Sequence, residues 1–331
     1  RKEMIAASWG LKDRLVGNGD VWLCHNCGDC TTLCPRDAKP GDVLAAIRAY
    51  AVSEYARPKS IARAVNDPKK LPILLGIPAV IFIVVGLITG LLDFTPGGDQ
   101  IVHGHFFSTW LVDLVMIPAS IWTVVIFALG IKRFMGDIHQ NALIEGKTDK
   151  EKIEIGPFIK SLVGAIPKIL KHSKFSECGE NEDRATSHMM VFFGFIGLFI
   201  VTSIFFVVLY GFGIHGPYSQ LNPVKWLANI AGVALVIGSA LMIKNRLAKT
   251  DQVSTYKDWQ LIGLALALGL TGLLTEMTRL GGAAGLSYTI YFIHLVFVFS
   301  LFVYLPFSKL AHLVYRTLAI AYAEYSGRKF L

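Results

Sequence analysis

Six long apolar stretches constrain this chain more than any other feature. They run over approximately residues 71–92, 110–131, 189–212, 226–243, 259–278 and 286–306. A helix crosses a hydrocarbon core about 30 Å thick with about 20 apolar residues, so each stretch is long enough to span. In lipid every backbone N–H and C=O must be satisfied within the segment, which makes each stretch a helix. Residues 1–70 contain nothing comparable and read as a small soluble head. The expected fold is therefore mainly α, a small helical head followed by a six-helix transmembrane bundle. Composition agrees: only 17% of residues are charged, against about a quarter in soluble domains. The N-terminal residues lack the apolar core and cleavage site of a secretory signal.

The formal charge is +8, and its placement matters more than its size. With the head taken as cytoplasmic, the inside segments are 1–70, 132–187, 244–258 and 307–331. They hold 30 of the 32 Lys and Arg residues, leaving Lys225 and Arg279 outside. This is a positive-inside bias. It sets topology and speaks against nucleic acid as a partner. The expectation is a multi-pass protein of the cytoplasmic (inner) membrane, with head and C-terminus on the cytoplasmic side. All five cysteines fall on that side, where disulfides are rare.

Four of the cysteines lie in "CHNCGDCTTLCP", residues 24–35. Cys24, Cys27, Cys30, Cys34 and Pro35 spell C-x2-C-x2-C-x3-C-P, the compact run that ligates a [4Fe–4S] cluster. Three thiolates converge on one cubane, and the fourth ligates the other cluster in two-cluster modules. Zinc is the competing reading, but its sites usually use two separated pairs. A second motif is missing, and Cys178 alone cannot supply it. Either one cluster uses all four thiolates, or a companion motif lies upstream of Arg1, where the chain starts without a methionine. The second is the expectation. His25 reads as a solvent-facing loop residue. Around the motif, a helical segment is expected near 1–16. A helix starts at Pro40-Gly41-Asp42 with Asp42 as N-cap, and residues 61–70 form a basic linker to a transmembrane domain over 71–331.

The long inside loop carries an amphipathic segment near 155–172. Ile155, Phe158, Ile159, Leu162, Val163, Ile166, Ile169 and Leu170 follow helical spacing, with Lys160, Lys168 and Lys171 on the other face. Such a helix lies in the membrane surface or packs against a partner protein. Gly263, Gly269 and Gly272 in the fifth span suit close helix contact.

Two of the nine histidines stand out. His294 and His312 lie 18 residues apart in "HLVFVFSLFVYLPFSKLAH". In one continuous helix that is five turns, about 27 Å along the axis, with both on one face. A single intramembrane histidine is readily a packing residue. Two on one stripe at two depths fit a pair of haems, each needing an axial ligand.

Three segments resemble known families. "VWLCHNCGDCTTLCPRDAKPGDVLAAIRAYAV" is similar to the second cluster half of the heterodisulfide reductase C family, a two-[4Fe–4S] electron-transfer module. "HLVFVFSLFVYLPFSKLAHLVY" resembles the last helix of the cytochrome b (gamma) subunits of respiratory nitrate reductases, where two histidines at this separation bind two b haems. "RATSHMMVFFGFIGLF" is similar to a haem helix of that family and, more closely, to the heterodisulfide reductase E family. The resemblance implies His188 and His312 as the axial pair of an inner haem b. It departs from the nitrate reductase pattern near Leu198, where that family has a further histidine. His294 must then find an outer partner elsewhere: His105 is the first choice, with His103 and His215 as alternatives. His172 in "HSKFSEC" resembles a recurring family segment and is a rival for the inner haem.

Asp113 in the second span and Glu276 with Arg279 in the fifth are costly there unless paired or functional. They are candidates for the protons of quinol chemistry, with salt bridges or snorkelling as the plainer reading. No nucleotide-binding or triad motif occurs in a suitable context. A cluster head joined to a haem-binding bundle resembles the membrane subunits of the quinone-interacting oxidoreductase complexes of sulfate reducers. That resemblance implies menaquinone, one or two b haems, soluble partner subunits carrying FAD and iron–sulfur clusters, and exchange with adenylylsulfate reductase. The chain would be one subunit of a quinone-dependent oxidoreductase, with its main flavin sites on partners. Alternatives are the membrane subunit of a heterodisulfide reductase-like or DsrM-like complex, and a haem-free membrane anchor.

Overall fold

The computed structural model describes residues 2–95, 98, 100–171, 179, 183–248 and 253–328. His172 and Cys178 lie outside the described residues. Among those residues six helices are long and apolar enough to cross a membrane. They are α7 (Leu71–Thr89), α9 (Thr109–Ile144), α11 (Asp183–Phe212), α12 (Pro223–Ala248), α13 (Tyr256–Leu280) and α14 (Ala284–Tyr304). The head is built from α1 (Lys2–Ser8), α2 (Lys12–Val16), α3 (Asp20–Leu23), α4 (Asp29–Thr32), α5 (Pro40–Tyr55) and α6 (Lys59–Val65). Short α8 (His103–Phe106) precedes the second span, α10 (Ile155–Lys171) lies in the following loop, and α15 (His312–Tyr325) ends the chain.

The expected helix near 1–16 is two helices, split where Gly10 takes a positive φ of 67°. Pro40 occupies the start of α5, where its missing N–H costs nothing. Asp42 is therefore in the first turn and not the N-cap, which is Lys39. Its carboxylate accepts from the Val253 N–H at 3.3 Å.

The head is packed onto the bundle. At 36 residues, α9 is about 54 Å long, far more than a bilayer core needs, and its excess reaches the head. Trp22, Tyr55, Phe134 and Tyr315 meet there with ring centroids 5.2–6.0 Å apart, all nearly inaccessible. The Tyr55 hydroxyl donates to Asp137 at 3.0 Å, and Arg133 donates to the Tyr55 carbonyl at 3.0 Å. Residues 61–70, read from sequence as a linker, are likewise folded. Ala62 and Val65 of α6 are buried with Leu74, Ile126, Tyr304 and Phe307. Small size lets them pack where the basic residues around them stay in solvent.

The last span is not one helix. After α14 the chain makes two 3-10 turns, Leu305–Phe307 and Lys309–Ala311, separated by extended Ser308. Pro306 cannot donate to the helical ladder, and the Ser308 hydroxyl accepts from the Leu310 N–H at 3.2 Å, restarting the chain as α15. The continuous five-turn stripe joining His294 to His312 is thus broken between them.

Helices α11 and α12 approach backbone to backbone. A Cβ on Gly238 would lie 2.9 Å from the Val191 nitrogen, and one on Gly194 would lie 3.1 Å from the Ala231 carbonyl oxygen. Of the fifth-span glycines, Gly269 does admit α12, whereas Gly263 faces open space and Gly272 makes room for His294. On α10, Ala165 is buried with Ile320 and Ala321 of α15, while Ile155, Ile159, Val163, Ile166 and Leu170 stay exposed. The helix thus packs on its own chain and still offers an apolar stripe.

Candidate functional site

The cysteine loop runs between α3 and α5. Asn26 and Gly28 adopt positive φ of 58° and 92°, folding the chain back on itself, and the Asn26 N–H points to Cys24 Sγ at 3.4 Å. Gly41 closes the other side: its N–H donates to Thr31 Oγ1 at 3.2 Å, and a Cβ there would sit 3.6 Å from Cys30 Sγ. Burial pushes the Cys30 thiol up, and the neighbouring Cys24 and Cys27 add to the rise. Those three sulfurs are therefore electrostatic neighbours, as the first three ligands of a cubane must be. Cys34 is half-buried on the turn after α4. Among the described residues no three His, Cys, Asp or Glu side chains converge closely enough to hold a single metal ion.

Three arginines frame this loop. Arg48 donates from Nε to the Val21 carbonyl at 2.9 Å and from Nη2 to the Cys24 carbonyl at 3.0 Å. Arg184 donates to the Cys27 carbonyl at 3.3 Å. Arg316 Nη2 donates to His25 Nδ1 at 2.8 Å, so His25 is a fixed, half-buried acceptor and not the solvent-facing residue expected. Burial lowers Arg48 and brings Arg316 down to about 10. A fixed positive shell suits a thiolate-bound cluster, whose net charge is negative.

From this loop a cavity of about 1710 Å³ extends into the bundle between α9, α11, α12, α13 and α14. Pockets for one drug-sized ligand measure about 300–1,000 Å³, so the volume suits one large cofactor or more. His188, His294 and His312 all line it, as do Asp113 and Glu276. His103, His105, His215 and Arg279 do not.

His312 is presented as a ligand would be. Its Nδ1–H donates to the Lys309 carbonyl at 2.7 Å, which leaves the Nε2 lone pair unengaged by that bond. Metal-binding histidines are oriented in this way. Burial pushes its pKa down to about 3, and the neighbourhood of His188 lowers it further, so the imidazole stays neutral. His188, at the start of α11, stacks on Phe192 at 6.3 Å. His294 follows the same logic. The Thr271 hydroxyl gives its proton to the Ala267 carbonyl at 2.6 Å and accepts from His294 Nδ1–H at 2.9 Å, again leaving Nε2. Gly272 permits this: a Cβ there would lie 3.2 Å from the ring.

The proposed outer partners are placed elsewhere. His105 is exposed on α8, separated from α9 by Phe107 and Ser108, and His215 is exposed after the third span. His103 donates to Ser287 Oγ at 2.9 Å and lies on Tyr291 with centroids 4.6 Å apart. The buried charges have partners: Glu276 with Lys225 and, at 3.6 Å, Arg279; Asp113 with the Tyr210 hydroxyl. Asp258, nearly inaccessible, joins Lys309 and, at 3.4 Å, Arg246.

Sequence reasoning missed Arg48, Arg316, Asp258 and Thr271. One signal was available: Arg316 follows His312 by four residues, one helical turn on the same face. The others depend on contacts between distant segments.

Residues 172–329, which take in His188, His294 and His312, match the family described as Citrate utilization protein B. The Citrate utilization protein B of Escherichia coli is 25% identical over 314 residues, covering 89% of this chain and 78% of that protein. A heterodisulfide reductase C-like protein of Archaeoglobus profundus is 38% identical over 56 residues, which is 17% of this chain and 30% of that protein. No solved structure matches. The two matched proteins carry names from citrate utilization and heterodisulfide reduction, not from sulfate reduction.

Proposed function

We propose that this chain is the membrane electron-transfer subunit of a quinone-dependent oxidoreductase. Electrons pass between quinone in the bilayer and a soluble partner that carries flavin and iron–sulfur centres. Cys24, Cys27 and Cys30 hold one [4Fe–4S] cluster, and Cys34 is a ligand to the same or a companion cluster. His188 and His312 hold an inner b haem, and His294 is the one cavity-lining ligand toward a second. The carrying observation is His312 in a cavity that opens toward the cysteine loop, its Nδ1–H committed to Lys309 and His188 close by. Haem and cluster each supply reversible one-electron transfer. The chain's own residues hold them, exclude water, and offer Asp113 and Glu276 as groups for the two protons of a quinol. The concentration of Lys and Arg on the head side supports a cytoplasmic head.

The partner has two readings. Fusion of a cluster head to this bundle resembles QmoC, the membrane subunit whose complex exchanges electrons with adenylylsulfate reductase and menaquinone. Similarity to Citrate utilization protein B over 89% of the chain favours a partner that oxidises or reduces a carboxylic acid in citrate utilization. Affinity capture of the full chain from its native membranes, followed by identification of the flavoprotein that co-purifies, separates them.

The redox reading itself is tested by the reduced-minus-oxidised visible spectrum of the purified chain, in which bis-histidine b haem gives a sharp band. Without that band the bundle is a haem-free anchor. Cys27→Ser is expected to abolish one cluster's paramagnetic signal and leave the haem spectrum intact.

A further inference from the structure

Two buried guanidinium groups at the head end of the cavity have no carboxylate partner among the described residues. Arg48 commits Nε and Nη2 to the Val21 and Cys24 carbonyls. Arg316 commits Nη2 to His25, while its Nε is buried without a hydrogen-bond partner. Each lines the cavity. Of the other cations that line this cavity, Lys309 and Arg246 pair with Asp258, and Lys168 with Glu324.

Charged groups buried in one low-dielectric cavity are costly, and an anion supplied there offsets that cost. Arg316 also leaves α15 one turn beyond His312, on the same face. A molecule ligated by His312 therefore has Arg316 beside it, and the planar guanidinium fork matches a carboxylate with two parallel hydrogen bonds.

We propose that Arg316, with Arg48 lining the same cavity, is the carboxylate-binding subsite of the inner cavity, and that it receives a propionate of the haem held by His188 and His312. This rests on the haem reading above. Arg316 then touches the surroundings of both centres: a haem carboxylate on one side and, through His25, the loop of Cys24 on the other. A positive charge beside the haem favours its reduced, less positive state, so removing that charge lowers the midpoint potential.

The test is a redox titration of the purified full chain and its Arg316→Gln and Arg316→Lys variants. Haem absorption and the cluster's paramagnetic signal are followed in the same samples, and the haem lost in His312→Ala identifies the inner one. The expected result is a negative shift of the inner haem in Arg316→Gln, largely restored in Arg316→Lys, with a smaller change at the cluster. An unchanged inner haem potential in Arg316→Gln overturns the proposal. So does a shift confined to the cluster, which would make Arg316 the counter-charge of the thiolates. If Arg316→Gln does not accumulate, Arg48→Gln reads the same shift with the same two outcomes. A wild-type chain without haem overturns the reading beneath, and is told apart by its missing band before any variant is made.

Discussion

At the end of the cavity nearest the cysteine loop, His188 of α11 and His312 at the start of α15 both line the wall, with His25 of the loop. In the far half His294 is the one cavity-lining imidazole among the described residues, and Asp113 and Glu276 line the cavity with it. The near end is also cationic and clamped by the head. The far end has its charges in pairs, Glu276 with Lys225 and Asp113 with Tyr210. On the proposed haem reading, the same fold would supply both ligands of one haem from its own chain at the near end and a single ligand at the far end. On that reading the near end would hold a bis-histidine haem, and the far end a cofactor, or a smaller redox molecule, on one side only.

The largest expected effect falls on the near end. His312→Ala removes the proposed haem ligand whose orientation is fixed by the Lys309 carbonyl, so haem at that site is expected to be lost entirely. His294→Ala is expected to leave it in place. Haem per chain, by pyridine haemochrome assay on both variants, checks this. Equal losses in the two would erase the distinction between the ends.

A second comparison concerns charge. Asp258 is 6% exposed and answers both Lys309 and Arg246, whereas Glu276, 16% exposed, pairs with Lys225 and Arg279 near the far edge. Removing one partner of a buried pair costs about 3–5 kcal/mol. Asp258→Ala also strips the capping box that Thr255 and Asp258 form at the start of α13. Glu276→Ala leaves two cations close to the aqueous boundary and is expected to cost about 1–2 kcal/mol. Thermal unfolding of the two variants in detergent ranks them. A larger loss for Glu276→Ala would show that the far end is the more tightly built.

What was legible in the sequence followed from local rules. The six spans are set by apolar length, and the cysteine run is marked by its spacing within a dozen residues. His294 and His312 stood out by their 18-residue spacing and His188 by a family resemblance, and all three line the cavity. The break at Leu305–Ala311 was harder, although Pro306 and Ser308 announce it, because the flanking apolar run suggested uninterrupted helix. The pairing of Arg48 with the Cys24 carbonyl joins residues 24 apart, and His25 to Arg316 joins residues 291 apart. No periodicity carries such contacts. The basic stretch 61–70 misled for a related reason: its charge density hides Ala62 and Val65, whose small apolar faces do the packing.

The smallest predicted effect belongs to Thr271→Val. The substitution keeps shape but removes the oxygen that accepts from His294 Nδ1–H at 2.9 Å. Valine offers no hydrogen bond in return, and a buried N–H left unsatisfied costs about 1–3 kcal/mol. Part is recovered, because Thr271 no longer spends its hydroxyl on the Ala267 carbonyl already bonded in the helix. A net loss of about 1 kcal/mol is expected. The more telling readout is spectroscopic. With its Nδ1–H unheld, the His294 ring is free to rotate, and any cofactor on its Nε2 side changes its absorption while the His188–His312 site keeps its own. If instead Thr271→Val disturbs the near site, the two ends are coupled through the cavity and cannot be treated as separate centres.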